Sequence, residues 1–199
     1  MLTHSEIFPG IHLRCVQDRR FKHSALSLQY IRPMCREEAA MNALIPSVLL
    51  RGCKSAPDLR QITQRLDDLY GAAVSPISRR AGDWQTTGLY LSLMDDRFAR
   101  EGEALTEQAM DFLKELLFAY PEENGGFLPE FVEGEKINQI YAIEAEFNDK
   151  RAYCAQQLLK NMCREDSFGV PRMGEREDVE AVTPQALLSH YRCLRRESQ

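Results

Sequence analysis

Apolar and polar residues alternate at Ile11, Leu13 and Cys15, and again at Leu26, Leu28 and Tyr30. That period of two predicts two half-buried strands, joined hairpin-fashion by the basic, solvated stretch Asp18-Arg19-Arg20-Phe21-Lys22-His23. Residues 36–50 are apolar nearly all round, through Ala39, Ala40, Met41, Ala43, Leu44, Ile45, Val48 and Leu49, which predicts a helix buried on several sides. Pro46 inside it lacks a backbone donor and crowds the preceding turn, so a kink or local break is expected, with Gly52 as terminator. Ser55-Ala56-Pro57-Asp58 is a helix start signal, followed by a buried stripe at Leu59, Ile62, Leu66 and Leu69 that Gly71 closes. Residues 72–80 and 85–94 read as two strands around Ala81-Gly82-Asp83, with Leu89, Leu91 and Leu93 on one face.

Residues 103–119 form an amphipathic helix with Leu105, Ala109, Phe112, Leu113 and Leu116 facing inward. Residues 121–129, with Gly125-Gly126, read as a loop suited to an insertion. Helical pattern then runs over 131–164, as two helices meeting near Phe147-Asn148-Asp149; 166–182 is polar loop, and Thr183-Pro184 starts a last helix through Leu187, Leu188, Tyr191 and Leu194. The order β-β-α-α-β-β-α-α-α-loop-α predicts an α+β fold, a mainly antiparallel sheet with helices packed on one face. Without repeats, low-complexity tracts or flexible linkers, residues 1–199 are expected to form a single domain.

A net charge of −5 with interspersed signs argues against nucleic acid as a partner. No apolar run approaches the roughly 18 residues of a membrane span, and Met1-Leu2-Thr3-His4-Ser5-Glu6 lacks the plan of a signal peptide. Cys15, Cys35, Cys53, Cys154, Cys163 and Cys193 are scattered without a C-x-x-C spacing, the usage of reduced thiols in a cytoplasmic protein. His4, His12, His23 and His190 make no pair at i, i+4. His190 reads as a surface helix residue, Cys53 as a buried or half-buried thiol, and Asp67-Asp68 and Asp95-Asp96 as solvated positions.

The segment Ala43-Leu44-Ile45-Pro46-Ser47, followed by Val48-Leu49-Leu50-Arg51-Gly52, resembles the zinc-binding helix of an inverted zincin. In that motif, H-x-x-E-H, two histidines on one helical face reach one zinc and the glutamate activates its water. Here Ala43 and Ser47 stand at the histidine positions and Pro46 at the glutamate position. With Ile62-Thr63-Gln64-Arg65-Leu66-Asp67-Asp68-Leu69-Tyr70-Gly71-Ala72 and Phe131-Val132-Glu133-Gly134-Glu135-Lys136, the chain resembles the pitrilysin/insulinase family of inverted zincins, on its catalytically silent branch. In that family a further zinc ligand lies seven residues beyond the first acid of the third segment. Counting from Glu135 gives Ala142, with Glu144 and Glu146 close by. The wording around Phe147-Asn148-Asp149-Lys150-Arg151-Ala152-Tyr153, Asp166-Ser167-Phe168-Gly169 and Gly174-Glu175 is similar to the YmfF-like proteins associated with elongation factor P modification in Gram-positive bacteria.

The resemblance implies a non-catalytic subunit that binds peptide or protein substrate alongside an active homologous peptidase, as a hetero-oligomer, or that forms a homodimer. It implies no catalytic residue, no metal ligand at Ala43, Pro46, Ser47 or Ala142, and no cofactor, zinc being expected to be absent. Family chains are about twice as long, so the N-terminal portion alone is expected, lacking its domain's last strands and leaving an open sheet edge. Two alternatives stand beside this reading. One is a zinc-dependent peptidase with displaced ligands such as Glu144 or distant histidines; the other is a stand-alone structural or interaction domain. Ser47 as a nucleophile has no histidine near it in sequence, and only His190 offers a base.

Overall fold

The computed structural model describes residues 2–197; Met1, which entered the reading of the N-terminus, lies outside them, as do Ser198 and Gln199. Strands β1 (Leu2–Phe8) and β2 (Ile11–Val16) form an antiparallel hairpin around Gly10. This corrects two expectations. The first predicted strand pairs with β1 rather than across the 18–23 connection, and the N-terminal residues form a strand of their own. Strand β3 (His23–Pro33) instead enters a second sheet with β4 (Ala73–Ala81) and β5 (Trp84–Met94), in the order β3-β5-β4, all antiparallel. Its register places Leu26 beside Leu91 and Leu28 beside Leu89, while Val74 faces Leu91 from the other side. One face of the sheet is thereby apolar where Leu89, Leu91 and Leu93 run along β5, because a period of two sends alternate side chains to the same side.

Helices cover that face. Helix α1 (Arg36–Leu49) packs on β4 and β5, and α3 (Leu105–Phe118) packs on β5. Helix α2 (Leu59–Asp68) starts where Asp58 Oδ1 accepts the Gln61 N–H at 2.8 Å, a side-chain cap on an otherwise orphan donor. Residues 121–129 are not plain loop. They form a short hairpin, β6 (Glu122–Glu123) with β7 (Gly126–Phe127), and β7 is buried. Phe127 packs within 5.1 Å of the Tyr120 ring and 6.1 Å of the Tyr191 ring, between centroids. Helix α4 (Pro129–Ala145) lies beside α1, and α5 (Lys150–Met162) follows after the break near Phe147. The segment expected as loop contains a short helix, α6 (Arg176–Glu180), before α7 (Pro184–Glu197). The fold is α+β with antiparallel sheets, as the element order predicted.

The main core gathers Leu44, Ile45, Val48 and Leu49 of α1 with Leu89, Leu91 and Leu93 of β5, Phe112 and Leu116 of α3, and Leu187, Leu188, Tyr191 and Leu194 of α7. After α1 the chain turns through Arg51 and Gly52 into a tight loop in which Cys53 N donates to Ala56 O at 2.8 Å. A Cβ on Gly52 would stand 2.6 Å from the Pro57 carbonyl oxygen and 2.9 Å from its carbon. Both are backbone atoms that cannot rotate aside. The substitution Gly52→Ala is therefore expected to destabilise the chain by about 1–3 kcal/mol, the usual cost of forced overpacking, read as a lower urea midpoint with an unchanged slope.

Candidate functional site

Helix α1 carries three of the four positions that the resemblance singles out. Ala43 and Pro46 are buried, and Ser47 is half-buried. Pro46 has no N–H to give to the carbonyl four residues back, that of Asn42. In this fold the Thr87 hydroxyl of β5 donates to that same Asn42 oxygen at 2.5 Å. A carbonyl left open by the proline is thus satisfied from the sheet, as a buried acceptor requires. The helix continues through Pro46 to Leu49 without interruption, so the local break expected there does not occur.

Around this point lies a buried polar network. Gln85 of β5 gives both donors of its amide to backbone, to Ala39 O at 3.2 Å and Arg172 O at 2.8 Å. Its Oε1 is therefore the acceptor for the Asn42 Nδ2 donor at 2.9 Å. Asn42 Oδ1 in turn accepts from His190 Nε2 at 2.8 Å. The chain of donors assigns a proton to His190 Nε2, because each amide orientation is fixed by the next group along. Burial pushes the His190 imidazole below the usual histidine range; Arg32 acts in the same direction, and Glu38 and Glu197 oppose it. His190 is thus half-buried rather than fully exposed, and the partner its ring bonds is the Asn42 amide rather than a nucleophile. Ser47 has no hydrogen bond to it.

Helix α4 meets α1 through amides as well. Gln139 Nε2 donates to Ala40 O at 3.2 Å and to Met173 O at 2.8 Å. Gly174 lies so close that a Cβ there would stand 2.6 Å from the Ala40 Cβ. Just past the end of α1, Arg51 Nε lies 3.0 Å from Glu135 Oε1. That N–H makes no aligned hydrogen bond, so the contact is ionic. Gly134 leaves room for the guanidinium, since a Cβ would meet Arg51 Nη2 at 2.5 Å. Gln139 of α4 thus reaches α1, while Ala142 is exposed.

The residues present do not fit a zinc ion of the inverted-zincin kind. Methyl, pyrrolidine and hydroxyl groups at Ala43, Pro46 and Ser47 supply none of the imidazole or carboxylate donors that zinc takes. The nearby acids are engaged elsewhere: Glu144 pairs with Arg176, and Glu146 lies 3.8 Å from Arg172. Among the described residues no group of three or more His, Cys, Asp or Glu side chains is placed to hold a metal. His4 and His12 face each other on the N-terminal hairpin, ring centroids 5.4 Å apart.

A cleft of about 530 Å³ opens between the start of α5 and the segment leading to α6, lined by Arg80, Tyr153, Lys160, Phe168, Arg172 and Glu175. Its cations are occupied. Arg80 donates to the carbonyls of Gly82, Ser167 and Val170 and stacks on Phe168 at 4.4 Å. Lys160 pairs with Glu175 at 2.6 Å. Its lining includes Glu146, Tyr153 and Glu175 but no histidine, cysteine or serine.

No family model matches the chain. By sequence it is similar to the probable inactive metalloprotease YmfF of Bacillus subtilis, 29% identical over 182 residues, or 92% of this chain and 43% of that protein. A conserved protein from Enterococcus faecalis superposes on 100% of this chain and 47% of its own, with a TM-score of 0.93 at 21% identity. The peptidase M16 inactive domain from Pseudomonas fluorescens covers 96% of this chain and 43% of its own, with a TM-score of 0.68 at 13% identity. The fold is thus that of M16-type peptidase domains. The resemblance to the pitrilysin/insulinase family is borne out, on the branch whose relatives are themselves called inactive. The chain spans less than half the length of the curated relative it matches.

Asn42, Gln85, Thr87 and Gln139 were missed as a network by sequence reasoning, although a signal existed. Asn42 is a lone amide in an otherwise apolar helix run, and Gln85 and Thr87 continue the inward face of β5 that Leu89, Leu91 and Leu93 define.

Two outcomes follow from this geometry. Thr87→Val, nearly the same shape, leaves the buried Asn42 carbonyl without a donor and is expected to cost about 1–3 kcal/mol, while Thr87→Ser keeps most of the stability. Chemical denaturation of the three proteins measures the difference. For His190, the folded state favours the neutral ring, so the unfolded chain takes up a proton first, at a pH of about 6.5. Stability is then full above that pH, falls as pH drops toward the depressed folded value, and levels off below it. His190→Gln keeps a donor for Asn42 and is expected to flatten that slope, read from unfolding curves across mildly acid pH.

Proposed function

We propose that the chain is a non-catalytic homologue of zinc metallopeptidases, serving as a substrate-binding or partner subunit beside an active homologue. The observation that carries this reading is the rebuilding of α1 around Pro46. The position of the family's general base holds a proline whose lost hydrogen bond is replaced by Thr87, so the helix is organised for support rather than for activating water. Ala43, Ser47 and Ala142 occupy the ligand positions in the same reading.

A second feature supports binding as the task. Helix α5 buries none of its side chains, and Ala155, Leu158, Leu159 and Met162 are exposed at helical spacing. An apolar stripe left bare on an outer helix is the ordinary mark of a contact surface. The six cysteines are unpaired, as suits a cytoplasmic setting, and among the described residues no helix is long and apolar enough to cross a membrane. The displaced-ligand peptidase is the weaker reading because Glu144, Glu146 and His190 already have partners.

Elemental analysis of the purified chain after dialysis against a mild chelator tests the catalytic half of the proposal. The expected result is no retained zinc; one zinc held per chain would overturn it. Co-expression with an H-x-x-E-H-bearing homologue tests the other half, with co-elution expected and separate elution counting against a partner subunit.

A further inference from the structure

The sheet β3-β5-β4 ends at β4, which among the described residues has no strand on its outer side. Ala81 and Trp84 face each other across the two-residue turn Gly82-Asp83. Residues 81, 79, 77, 75 and 73 are therefore the positions that exchange backbone bonds with β5. The backbone groups of Val74, Pro76, Ser78 and Arg80 point the other way, outward. Such a row is a template for any extended chain. Pro76 interrupts its donors, having no N–H, but the outward carbonyls run on past it.

Residues 167–173 lie against that edge, and three elements hold them by their carbonyls. Arg80 of β4 donates to Ser167 O at 2.6 Å and to Val170 O at 3.0 Å. Gln85 of β5 takes Arg172 O and Gln139 of α4 takes Met173 O, both at 2.8 Å. Beside the turn, Ser167 Oγ donates to Asp83 Oδ1 at 2.8 Å. The backbone of this segment is thus fixed from below. The Arg172 side chain is held much more lightly. Its Nη1 donates to Ser78 O at 3.4 Å, its Nη2 lies 3.8 Å from Glu146 Oε1, and 44% of it is exposed. An ion pair that open to water contributes little.

We propose that residues 167–173 form a strap along the outer edge of β4, and that the Arg172 guanidinium is the latch that keeps this edge shut to an extended peptide. Ser78 O is an outward acceptor near the middle of a strand of nine residues. With that acceptor covered and Pro76 lacking a donor, no uninterrupted run of outward groups is left for an incoming strand. Swinging the guanidinium away uncovers Ser78 O and breaks none of the bonds that hold the strap, since those use the backbone carbonyl of Arg172. The device is therefore a fixed base with a movable tip. This goes beyond the reading above and does not depend on the silent site, because a zinc-binding chain would carry the same latch.

Binding of a fluorescein-labelled peptide of alternating valine and threonine, ended by glutamates for solubility, tests it by anisotropy. Arg172→Ala is expected to bind this probe about tenfold or more tightly than the native chain, which is about 1.4 kcal/mol. Arg172→Ala/Pro76→Thr, which also restores the missing donor, is expected to bind more tightly still. Methylating alternate main-chain nitrogens of the probe is expected to abolish the gain, because strand pairing needs those N–H groups. Arg172→Ala keeps the carbonyl that Gln85 holds, so an unchanged circular dichroism spectrum and urea midpoint confirm its fold. A native chain that binds the probe as tightly as Arg172→Ala would overturn the proposal. So would a folded Arg172→Ala that gains nothing, even if the double variant gains, which would leave Pro76 as the closure. A gain that survives methylation would also overturn it, making the contact side-chain docking. None of these results bears on zinc content, so the two readings fail separately.

Discussion

The hydrogen bond from Thr87 to the Asn42 carbonyl is the contact on which the centre of this structure turns. A proline in mid-helix costs about 3 kcal/mol or more when its carbonyl partner is abandoned. Here the partner is met from the sheet at 2.5 Å. Once Thr87 is committed to α1, the register of β5 against that helix is set, because a slip by one residue would turn Thr87 to the other face. Leu89, Leu91 and Leu93 follow Thr87 on the same side, so the core contacts of α1 and α3 inherit that register. Gln85, two residues earlier, then meets Ala39 O and Arg172 O. A single backbone vacancy thereby organises the sheet, the helix and the segment ahead of α6.

What the frame keeps and what it lacks follow from different physics. The overall shape depends on apolar burial, which tolerates exchange among side chains of similar size. Zinc chemistry depends on particular lone pairs at particular distances, which Ala43, Pro46 and Ser47 do not have. Superposition at 13% identity on an M16 inactive domain shows the shared architecture and assigns no residue a role. Fold-level likeness therefore speaks to architecture, and the site has to be read from its own residues.

Much of this was legible in the sequence, for reasons that differ by element. Helices α1, α2, α3 and α7 announced themselves through long apolar periodicity, and β4–β5 through alternation on either side of a Gly-Asp turn. The pairing of β2 was misjudged because the six residues from 17 to 22 look like a hairpin connection, and local pattern carries no information about Arg97, 75 or more positions away, gripping that loop. The 121–129 segment was misread for a similar reason. Its Gly-rich turn is real, yet Phe127 is buried by contacts with Tyr120 and Tyr191, the second of which lies far along the chain. His190 was placed at the surface because its partner Asn42 lies 148 residues distant.

The amide network also joins α1 to α4 directly. In a zinc site of this family's kind, ligands from two helices share one ion, and the ion's binding energy becomes folding energy. In this chain the same two helices are joined by Gln139 to Ala40 O and by Arg51 to Glu135. Neutral amide donors on backbone carbonyls contribute roughly 0.5–1.5 kcal/mol each, far less than a structural metal. They compensate by number and by reaching a third segment, since Gln139 also holds Met173 O and Gln85 holds Arg172 O. The loop that closes over α1 is therefore tied by the groups that tie the helices. Buried networks of this kind are stable only when every member is satisfied, and Asn42, Gln85, Thr87 and His190 form an unbroken run of donors onto acceptors. A histidine, a glutamate and a second histidine put back on α1 would have to displace Pro46, and with it the reason Thr87 points where it does.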